Sequence, residues 1–313
     1  MKLEMNLTLR LASLRRVALL TPAGAVYLGL SGCQTVMAPK AVTPTWTIPP
    51  GVSTQTVNGY PMAYTTRGSG PTIVFVHGAL VDYRYWQKPL ETWTSDYRVV
   101  DISMRHFYPE KWDNKGSDFT SRQHAKDLIA FIESTGGPVY LVGWSYGGLA
   151  AYVVARTRPD LVKKLVLVEA FVEPDGQAGD AELLHMANAT AKFFDAGNMD
   201  GGLQYAVDSL NKPGAWASLP EPVRQNFRDN AWSIVIAPRE ETDPVTCAEF
   251  GSLKMPVLLV TGQFKTPRHK QELLDQSKCL PGATVVTIAK AGHSVAAMNP
   301  PAFKQAVYSF LQH

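Results

Sequence analysis

The sequence predicts an α/β protein whose core is a mostly parallel, doubly wound sheet with a helical cap as an insertion. Short apolar runs of strand length alternate with helix-like stretches from Ser53 to the C-terminus, the pattern of a parallel sheet covered on both faces. One long segment with helical periodicity and many prolines interrupts this alternation. We therefore expect residues 53–173 and 249–313 to form the core and residues 174–248 to form the cap. The chain has 313 residues, 45% of them hydrophobic, which is enough apolar mass for one large core.

The strands are predicted from a hairpin followed by six apolar runs. Two strand-like segments flank Asn58-Gly59, a dipeptide typical of a tight hairpin turn. The apolar runs suit strands that are buried on both faces of a parallel sheet. The predicted strands are Ser53 to Val57, Tyr60 to Thr66, Thr72 to Val76, Tyr97 to Ile102, Val139 to Val142, Leu165 to Val168, Val257 to Val260 and Thr284 to Ile288. The predicted core helices are Ser121 to Ser134, Gly147 to Thr157, Lys270 to Lys278 and Ala302 to Leu311.

The N-terminus has the order of an export signal, in which a basic region precedes an apolar run. Arginines at positions 10, 15 and 16 precede the run from Val17 to Leu30, which is too short and too interrupted for a comfortable membrane span. The run ends in Leu30-Ser31-Gly32-Cys33, which resembles a bacterial lipobox. We expect residues 1–32 to be a lipoprotein signal peptide.

A lipobox predicts that Cys33 is lipidated and becomes the mature N-terminus. Residues 33–52, rich in Pro, Thr and Ala, are then expected to be a tether rather than packed structure. The alternative is an ordinary secretory signal in which the cysteine stands by chance. Lipidation predicts a protein of the bacterial cell envelope that faces the periplasm and is anchored to a membrane, by expectation the outer one.

The charge balance gives no sign of a nucleic-acid partner. The formal net charge is +3, and the first 32 residues carry all of it, with four basic side chains against Glu4 alone. The remainder of the chain is formally neutral and shows no basic patch of the kind that binds nucleic acid. The predicted partners are the membrane, through Cys33, and a small-molecule substrate.

Two further cysteines, Cys247 and Cys279, fit either of two descriptions. In an oxidising periplasm an even pair is compatible with a disulfide. Two buried free thiols are an equally good description.

The segment Gly143-Trp144-Ser145-Tyr146-Gly147 is the sharpest chemical signal. It follows a predicted strand and opens a predicted helix, the context in which this pattern places a serine hydroxyl on an exposed, strained turn. A free serine hydroxyl is a poor nucleophile at neutral pH and needs an adjacent base. We expect Ser145 to be the nucleophile; the alternative is a simple glycine-rich turn.

His293 is the candidate base. Among the seven histidines, it lies on the loop after the last predicted strand, at the edge where a parallel sheet presents its site. A solvated loop side chain is the alternative for this residue.

A tetrahedral intermediate also needs two backbone donors. The amide of Tyr146, directly after the nucleophile, is one candidate. The turn His77-Gly78-Ala79-Leu80 supplies the other from Ala79, unless it is only an ordinary strand-ending turn.

From about Ser53 to the end, the chain resembles the α/β-hydrolase superfamily in its capped branch. His77-Gly78 matches the oxyanion-loop motif, Gly143 to Gly147 matches the nucleophile elbow, and Gly292-His293 matches the base motif. The resemblance implies an α/β-hydrolase fold. It implies no metal or organic cofactor.

The sequence departs from the family at the triad acid. Most members carry it after the strand Val257 to Val260, where this chain has Thr261 to Thr266 without a carboxylate. Some haloalkane dehalogenases place a catalytic glutamate after the strand that follows the nucleophile helix, and Glu169 stands at the corresponding position here. We expect Glu169 to be the acid, with Glu173 and Asp175 as weaker candidates.

The resemblance implies a serine hydrolase that cleaves carboxylic esters or related acyl compounds through an acyl-enzyme. The alternatives on the same triad are a cofactor-free perhydrolase, similar to haloperoxidases, and a C–C bond hydrolase. The alternative from another class is a catalytically inactive binding lipoprotein, which the missing carboxylate near Lys265 keeps open. A serine nucleophile argues against dehalogenase or epoxide hydrolase chemistry, for which this fold uses aspartate.

Aromatic residues from two segments are placed either to line an apolar acyl pocket or to pack the cap onto the core. These residues are Tyr83, Tyr85 and Trp86, after the oxyanion loop, and Trp216, Phe227 and Trp232 in the cap.

Overall fold

The computed structural model describes residues 43–115, 118–175, 181–211, 213–240 and 242–313. The predicted signal peptide and Cys33 lie outside the described residues, as do residues 33–42 of the predicted tether.

The described chain forms one eight-stranded sheet. Its strands are β1 (Ser53–Val57), β2 (Tyr60–Arg67), β3 (Thr72–Val76), β4 (Arg98–Ile102), β5 (Val139–Trp144), β6 (Val162–Val168), β7 (Val257–Gly262) and β8 (Thr284–Ile288). They lie in the order β1-β2-β4-β3-β5-β6-β7-β8. The pairs β1–β2 and β2–β4 are antiparallel and the other five are parallel, which confirms the mostly parallel sheet.

The hairpin between β1 and β2 has the turn that its sequence predicts. Asn58 and Gly59 both have positive φ angles, of 47° and 76°. A two-residue turn of this kind matches the twist of the flanking strands, and asparagine and glycine tolerate it best. Val57 pairs with Tyr60 directly across the turn, so the register of the hairpin is fixed here.

Helices lie between and beyond the strands. They are α1 (Arg84–Gln87), α2 (Ser121–Ser134), α3 (Tyr146–Thr157), α4 (Ala181–Asp195), α5 (Met199–Leu210), α6 (Glu221–Asp229), α7 (Ser233–Ile236), α8 (Cys247–Gly251), α9 (Pro267–Cys279), α10 (Val295–Met298) and α11 (Pro300–Gln312). Among the described residues, none of these helices has both the length and the apolar character needed to cross a bilayer.

The central strands are buried on both faces, as their continuous apolar runs predict. Along β3, Val74 and Val76 point into a core cluster shared with α2 and α3. The alternate residues, Ile73 and Phe75, point into a second cluster that includes Phe303 of α11. The two clusters confirm a sheet with helices on each side.

The prediction that the last strand is buried on both faces is wrong. β8 pairs with β7 alone and forms an edge of the sheet. Thr284, Val285 and Thr287 are exposed, whereas Ile288 is buried. An apolar run of five residues cannot reveal on its own whether a further strand will lie beside it.

Helices α4 to α7 form a separate layer over the carboxyl end of the sheet. Their apolar side chains, among them Leu203, Val207 and Val235, make a third cluster that also takes in Leu80 from the loop after β3. The four helices lie within the predicted cap range, 174–248. We call residues 181–240, which contain these four helices, the cap.

The structure joins Cys247 and Cys279 in a disulfide. Cys247 is the first residue of α8, just after the cap, and Cys279 is the last residue of α9. The bond therefore ties the chain that leaves the cap to a helix of the core.

Candidate active site

Ser145 lies on the sharp turn between β5 and α3. Its φ and ψ angles are 54° and −124°, a conformation that costs an L-residue about 1–3 kcal/mol. The surrounding structure holds it there: the Ser145 amide donates to Val168 O at 3.0 Å, and the Ser145 carbonyl accepts from Gly148 N at 2.9 Å. The elbow that the sequence predicts is therefore present.

Two glycines allow the elbow and the loop after β3 to approach each other. A Cβ on Gly147 would overlap the carbonyl oxygen of His77. A Cβ on Gly78 would lie 2.9 Å from the Cβ of Ser145, closer than real Cβ contacts. Side chains at these positions would push the oxyanion loop away from the serine.

His293 reaches the serine from the loop between β8 and α10. Its Nε2 lies 3.0 Å from Ser145 Oγ, within hydrogen-bond reach. Its Nδ1 lies 3.4 Å from Glu169 Oε2, which is long for such a contact. The ring stacks near Phe171, with centroids 5.5 Å apart and an interplanar angle of 16°. The structure thus brings together the three residues that the sequence predicts as a triad.

Glu169 follows β6 directly and turns back toward His293 with a φ of 44°. Its Oε1 accepts hydrogen bonds from Thr261 Oγ1 and Gly262 N, each at 2.6 Å. Burial alone would raise the pKa of this carboxyl, but the hydrogen bond and charge of His293, with those two donors, lower the pKa below its ordinary value. Glu169 is therefore ionised at neutral pH and accepts from the imidazole.

The two weaker acid candidates are engaged elsewhere. Glu173 pairs with Arg268 at 2.8 Å, and Asp175 accepts from the backbone amide of Cys247 at 2.9 Å.

Ala79 and Tyr146, the predicted oxyanion donors, both border the cavity that contains Ser145. Tyr146 is the first residue of α3, so its amide has no partner within the helix. Neither amide has a hydrogen-bond acceptor among the residues that the structure describes. An unpaired amide beside the serine is what the predicted oxyanion role of each residue requires.

A buried histidine fixes the loop that carries Ala79. His77 Nε2 accepts from Met104 N at 3.0 Å, so Nδ1 carries the proton and donates to Gly78 O at 2.8 Å. Burial lowers the pKa of His77 to about 4, so the ring stays neutral and keeps this tautomer at neutral pH. The geometry of the loop therefore does not depend on a charge on His77.

A cavity of about 210 Å³ opens above the serine, between the cap and the carboxyl end of the sheet. Its apolar walls come from both layers, and they include Leu149, Leu183, Val207, Leu210, Phe227 and Ile234. Such a cavity suits a small apolar group attached to a polar reacting centre.

Among the six aromatic residues considered from the sequence, Phe227 borders this cavity and the others pack elsewhere in the described chain. Trp86 is fully buried in the core, and Tyr85 stacks on Trp144 with centroids 4.2 Å apart. Trp216 belongs to the apolar cluster of the cap. For five of the six, packing rather than pocket lining is the outcome.

Two residues at the site were not singled out from the sequence. His269, in the first turn of α9, stacks on His293 with centroids 4.9 Å apart and borders the cavity. Glu240, at the end of the cap, accepts from Ser121 Oγ at 2.6 Å and from Tyr146 Oη at 3.0 Å. The Thr266-Pro267 start of α9, just after β7, is a signal that would have placed His269 at this edge of the sheet.

Comparison with known proteins places these features in a family. A family model described as "Alpha/beta hydrolase family" matches residues 73–306, most of the chain. The carboxylesterase YbfK of Bacillus subtilis is 26% identical over 254 residues, which cover 77% of this chain and 80% of that protein. Epoxide hydrolase 2 of Siraitia grosvenorii is 31% identical over 116 residues, but these cover 36% of this chain and 37% of the relative's length.

Solved structures show the same fold. A thermophilic esterase from Thermogutta terrifontis superposes with a TM-score of 0.68 and 21% identity, covering 83% of this chain and 97% of the esterase. At this level of identity the likeness establishes the architecture alone.

Proposed function

The chain belongs to the alpha/beta hydrolase family, and from that premise we propose that it is a serine hydrolase of carboxylic esters or related acyl compounds. The observation that carries the proposal is the series of contacts from Ser145 Oγ to His293 Nε2, at 3.0 Å, and from His293 Nδ1 to Glu169, at 3.4 Å. Ser145 and His293 border a cavity with apolar walls. Its order and geometry are those of a nucleophile, a base and an orienting acid.

In the proposed reaction, Ser145 Oγ attacks the substrate carbonyl carbon while His293 Nε2 takes the hydroxyl proton. The carbonyl oxygen becomes negative and accepts hydrogen bonds from the amides of Ala79 and Tyr146. The imidazolium of His293 then gives its proton to the leaving alkoxide, which departs as an alcohol and leaves the acyl group on Ser145. In the second half of the reaction, water attacks the acyl-enzyme with His293 as its base, and the carboxylic acid leaves Ser145.

Glu169 orients the base in this scheme. Its ionised Oε2 keeps the proton of neutral His293 on Nδ1, so that Nε2 has the lone pair that accepts from Ser145. The negative charge also stabilises the imidazolium that forms in each half of the reaction.

The cavity favours acyl groups of modest size. Its volume of about 210 Å³ is below the ~300–1,000 Å³ of pockets for drug-sized ligands. The apolar walls favour an alkyl or aryl chain over a charged one. We propose short to medium acyl esters as the substrate class.

We also propose that the protein works at a membrane surface. The lipobox-like Leu30-Ser31-Gly32-Cys33 supports a lipid anchor on Cys33 and a site in the bacterial cell envelope, facing the periplasm. The tether after Cys33 would let the hydrolase stand away from the bilayer.

A hydrolysis screen tests the proposed substrate class. The full-length protein is assayed against p-nitrophenyl esters of increasing acyl length, with peracid formation from acetate and peroxide measured in parallel. We expect kcat/KM to peak at a short or medium chain and to exceed peracid formation. Peracid formation without ester hydrolysis would favour the perhydrolase alternative, and inactivity towards every ester would reject the proposal.

A further inference from the structure

Three side chains at the site form a second constellation that the proposed reaction does not use as a unit. Glu169, His269 and His293 each offer one ligand atom, and these atoms lie within 4.8 Å of one another. Glu169 Oε2 is 3.4 Å from His293 Nδ1 and 4.0 Å from His269 Nε2. A tetrahedral zinc ion with ligand distances of about 2.0–2.1 Å needs its ligand atoms about 3.3 Å apart. The pair Glu169 Oε2 and His293 Nδ1 already has this spacing, and the pair with His269 Nε2 would have to shorten by about 0.7 Å around an ion.

The surroundings hold each ligand as an outer coordination shell would. Thr261 and Gly262 occupy Glu169 Oε1, which leaves Oε2 to face the two imidazoles. His269 Nδ1 lies 2.8 Å from Thr266 Oγ1, and donation to that oxygen leaves the lone pair on Nε2. Ligating histidines commonly donate their second nitrogen in this way, and ligating carboxylates are commonly hydrogen-bonded.

His269 Nε2 is also a buried polar atom without a hydrogen-bond partner among the residues that the structure describes. Two imidazoles with one carboxylate favour zinc and similar transition metals over magnesium or calcium.

We propose that Glu169, His269 and His293 bind a zinc-like divalent ion and that this ion inhibits the hydrolase reversibly. An ion on His293 Nδ1 forces the proton of the neutral ring onto Nε2. That nitrogen then holds a hydrogen where it must accept one, so it cannot take the proton of Ser145. The ion also occupies the carboxylate oxygen that orients the ring. Binding rests on geometry alone, whereas inhibition rests on the proposed function.

The test measures zinc binding and ester hydrolysis on the full-length protein, purified without a histidine tag. Calorimetry with Zn²⁺ at pH 7 should show one ion per chain, and zinc should abolish hydrolysis until EDTA restores it. Magnesium at the same concentration should do neither. His269→Phe keeps the stacked ring but removes the ligand atom, and we expect zinc to bind at least ~100-fold more weakly, since losing even an outer-shell partner costs about 10–100-fold. His185→Phe, at an exposed position of α4, is the matched control and should bind zinc normally.

The outcomes separate the site from the function. If the wild type binds no zinc, or His269→Phe binds it as tightly as the wild type, the site is rejected. X-ray absorption at the zinc edge of the wild type should show two imidazole ligands, and its failure to do so rejects the site even if His269→Phe does not fold. Zinc binding that depends on His269, in a protein that hydrolyses no ester, supports the site and rejects the proposed function.

Discussion

Glu169 is held between two hydrogen-bond donors on one side and an imidazole on the other. Thr261 and Gly262 donate to its Oε1 at 2.6 Å each, and both belong to the segment Thr261 to Thr266, where the resemblance would place the acid near Lys265. The segment without a carboxylate thus supplies the hydrogen bonds that fix a carboxylate from the neighbouring strand.

Glu169→Gln should lower kcat by about 10³–10⁴ with KM nearly unchanged, the usual size for a triad acid. In the variant, the amide oxygen of the new side chain would still accept from Thr261 Oγ1 and Gly262 N. The opposite orientation is excluded because the Gly262 N–H cannot accept a hydrogen bond from the amide NH₂. The amide NH₂ would then face His293 Nδ1, favour the proton on Nε2 and so create the wrong tautomer. Steady-state kinetics on one of the p-nitrophenyl esters measure the change in kcat and KM.

Glu173→Gln is the matched control, since Glu173 pairs with Arg268 rather than with the imidazole. We expect a loss of about tenfold or less. An active Glu169→Gln with a damaged Glu173→Gln would overturn the assignment of the acid.

Single residues also show where inference from sequence stops. Ser145 and His293 follow strands and carry local motifs, so their placement could be predicted. Glu169 required a family resemblance, because one carboxylate at a strand end looks like another. His269 depends on how α9 packs against the sheet, which its own sequence does not encode. The same limit applies to Glu240, whose partners are about 90–120 residues away in sequence.

At the scale of elements, the cap is bonded to the oxyanion loop as well as packed on it. Leu80, next to Ala79, has a positive φ of 65° and donates its amide to Ser233 Oγ at 2.8 Å. Ser233 Oγ in turn donates to Asn230 O at 2.6 Å. Asn230 also donates to Asp82 Oδ2 at 2.7 Å, so the cap holds the loop at two points. The cap therefore helps to set the direction of the Ala79 amide.

Ser233→Ala tests this role. It leaves the buried Leu80 amide without its acceptor, which costs about 1–3 kcal/mol in stability. If the loop shifts, the Ala79 donor weakens, and we expect kcat to fall about 10–100-fold, less than the ~10²–10³ for outright loss of a donor. KM should change little, because the affected contact forms mainly in the transition state.

Ser218→Ala is the control for Ser233→Ala. Its hydroxyl also donates to a backbone carbonyl of the cap, Ala215 O at 2.7 Å, but it is exposed. We expect normal kinetics from it. A Ser233→Ala variant that loses stability but keeps kcat would show that the bond supports the fold alone.

Whether a segment is a strand or a helix could be predicted more securely than its exact bounds and its neighbours in the fold. The alternation of apolar runs gave the correct strand sites, because a buried parallel strand has few polar positions. Two helix starts differ from the prediction by two or three residues: α9 begins at Pro267 rather than Lys270, and α11 at Pro300 rather than Ala302. Both helices begin with proline after a capping residue, and apolar periodicity does not register that first turn.

Across the whole molecule, the first 32 residues and the remainder of the chain differ in net charge. The first 32 residues carry the formal net charge of +3, and the remainder is neutral. The catalytic layer and its cap are built from that neutral remainder. Cys33 lies outside the described residues. Its role as an anchor is proposed from the order of a basic region, an apolar run and the tetrapeptide that ends in this cysteine.

Cys33→Ala tests the anchor in a bacterial host. We expect the wild type to fractionate with membranes and the variant to remain unprocessed or to appear in the soluble periplasmic fraction. Mass spectrometry of the mature wild-type N-terminus should show a diacylglyceryl-modified cysteine at position 33. An unmodified chain cut at another residue would contradict the anchor and leave the hydrolase proposal unaffected.

Covalent labelling shows whether Ser145 is an activated nucleophile, as the proposed reaction requires. The full-length protein is treated with a fluorophosphonate, which reacts with a serine activated by its base, and the adduct is mapped by mass spectrometry. We predict one adduct, on the peptide that contains Ser145, and none in a folded Ser145→Ala variant whose turnover has fallen by ~10⁶. An unlabelled wild type, or hydrolysis that persists in Ser145→Ala, would show that Ser145 is not the activated nucleophile.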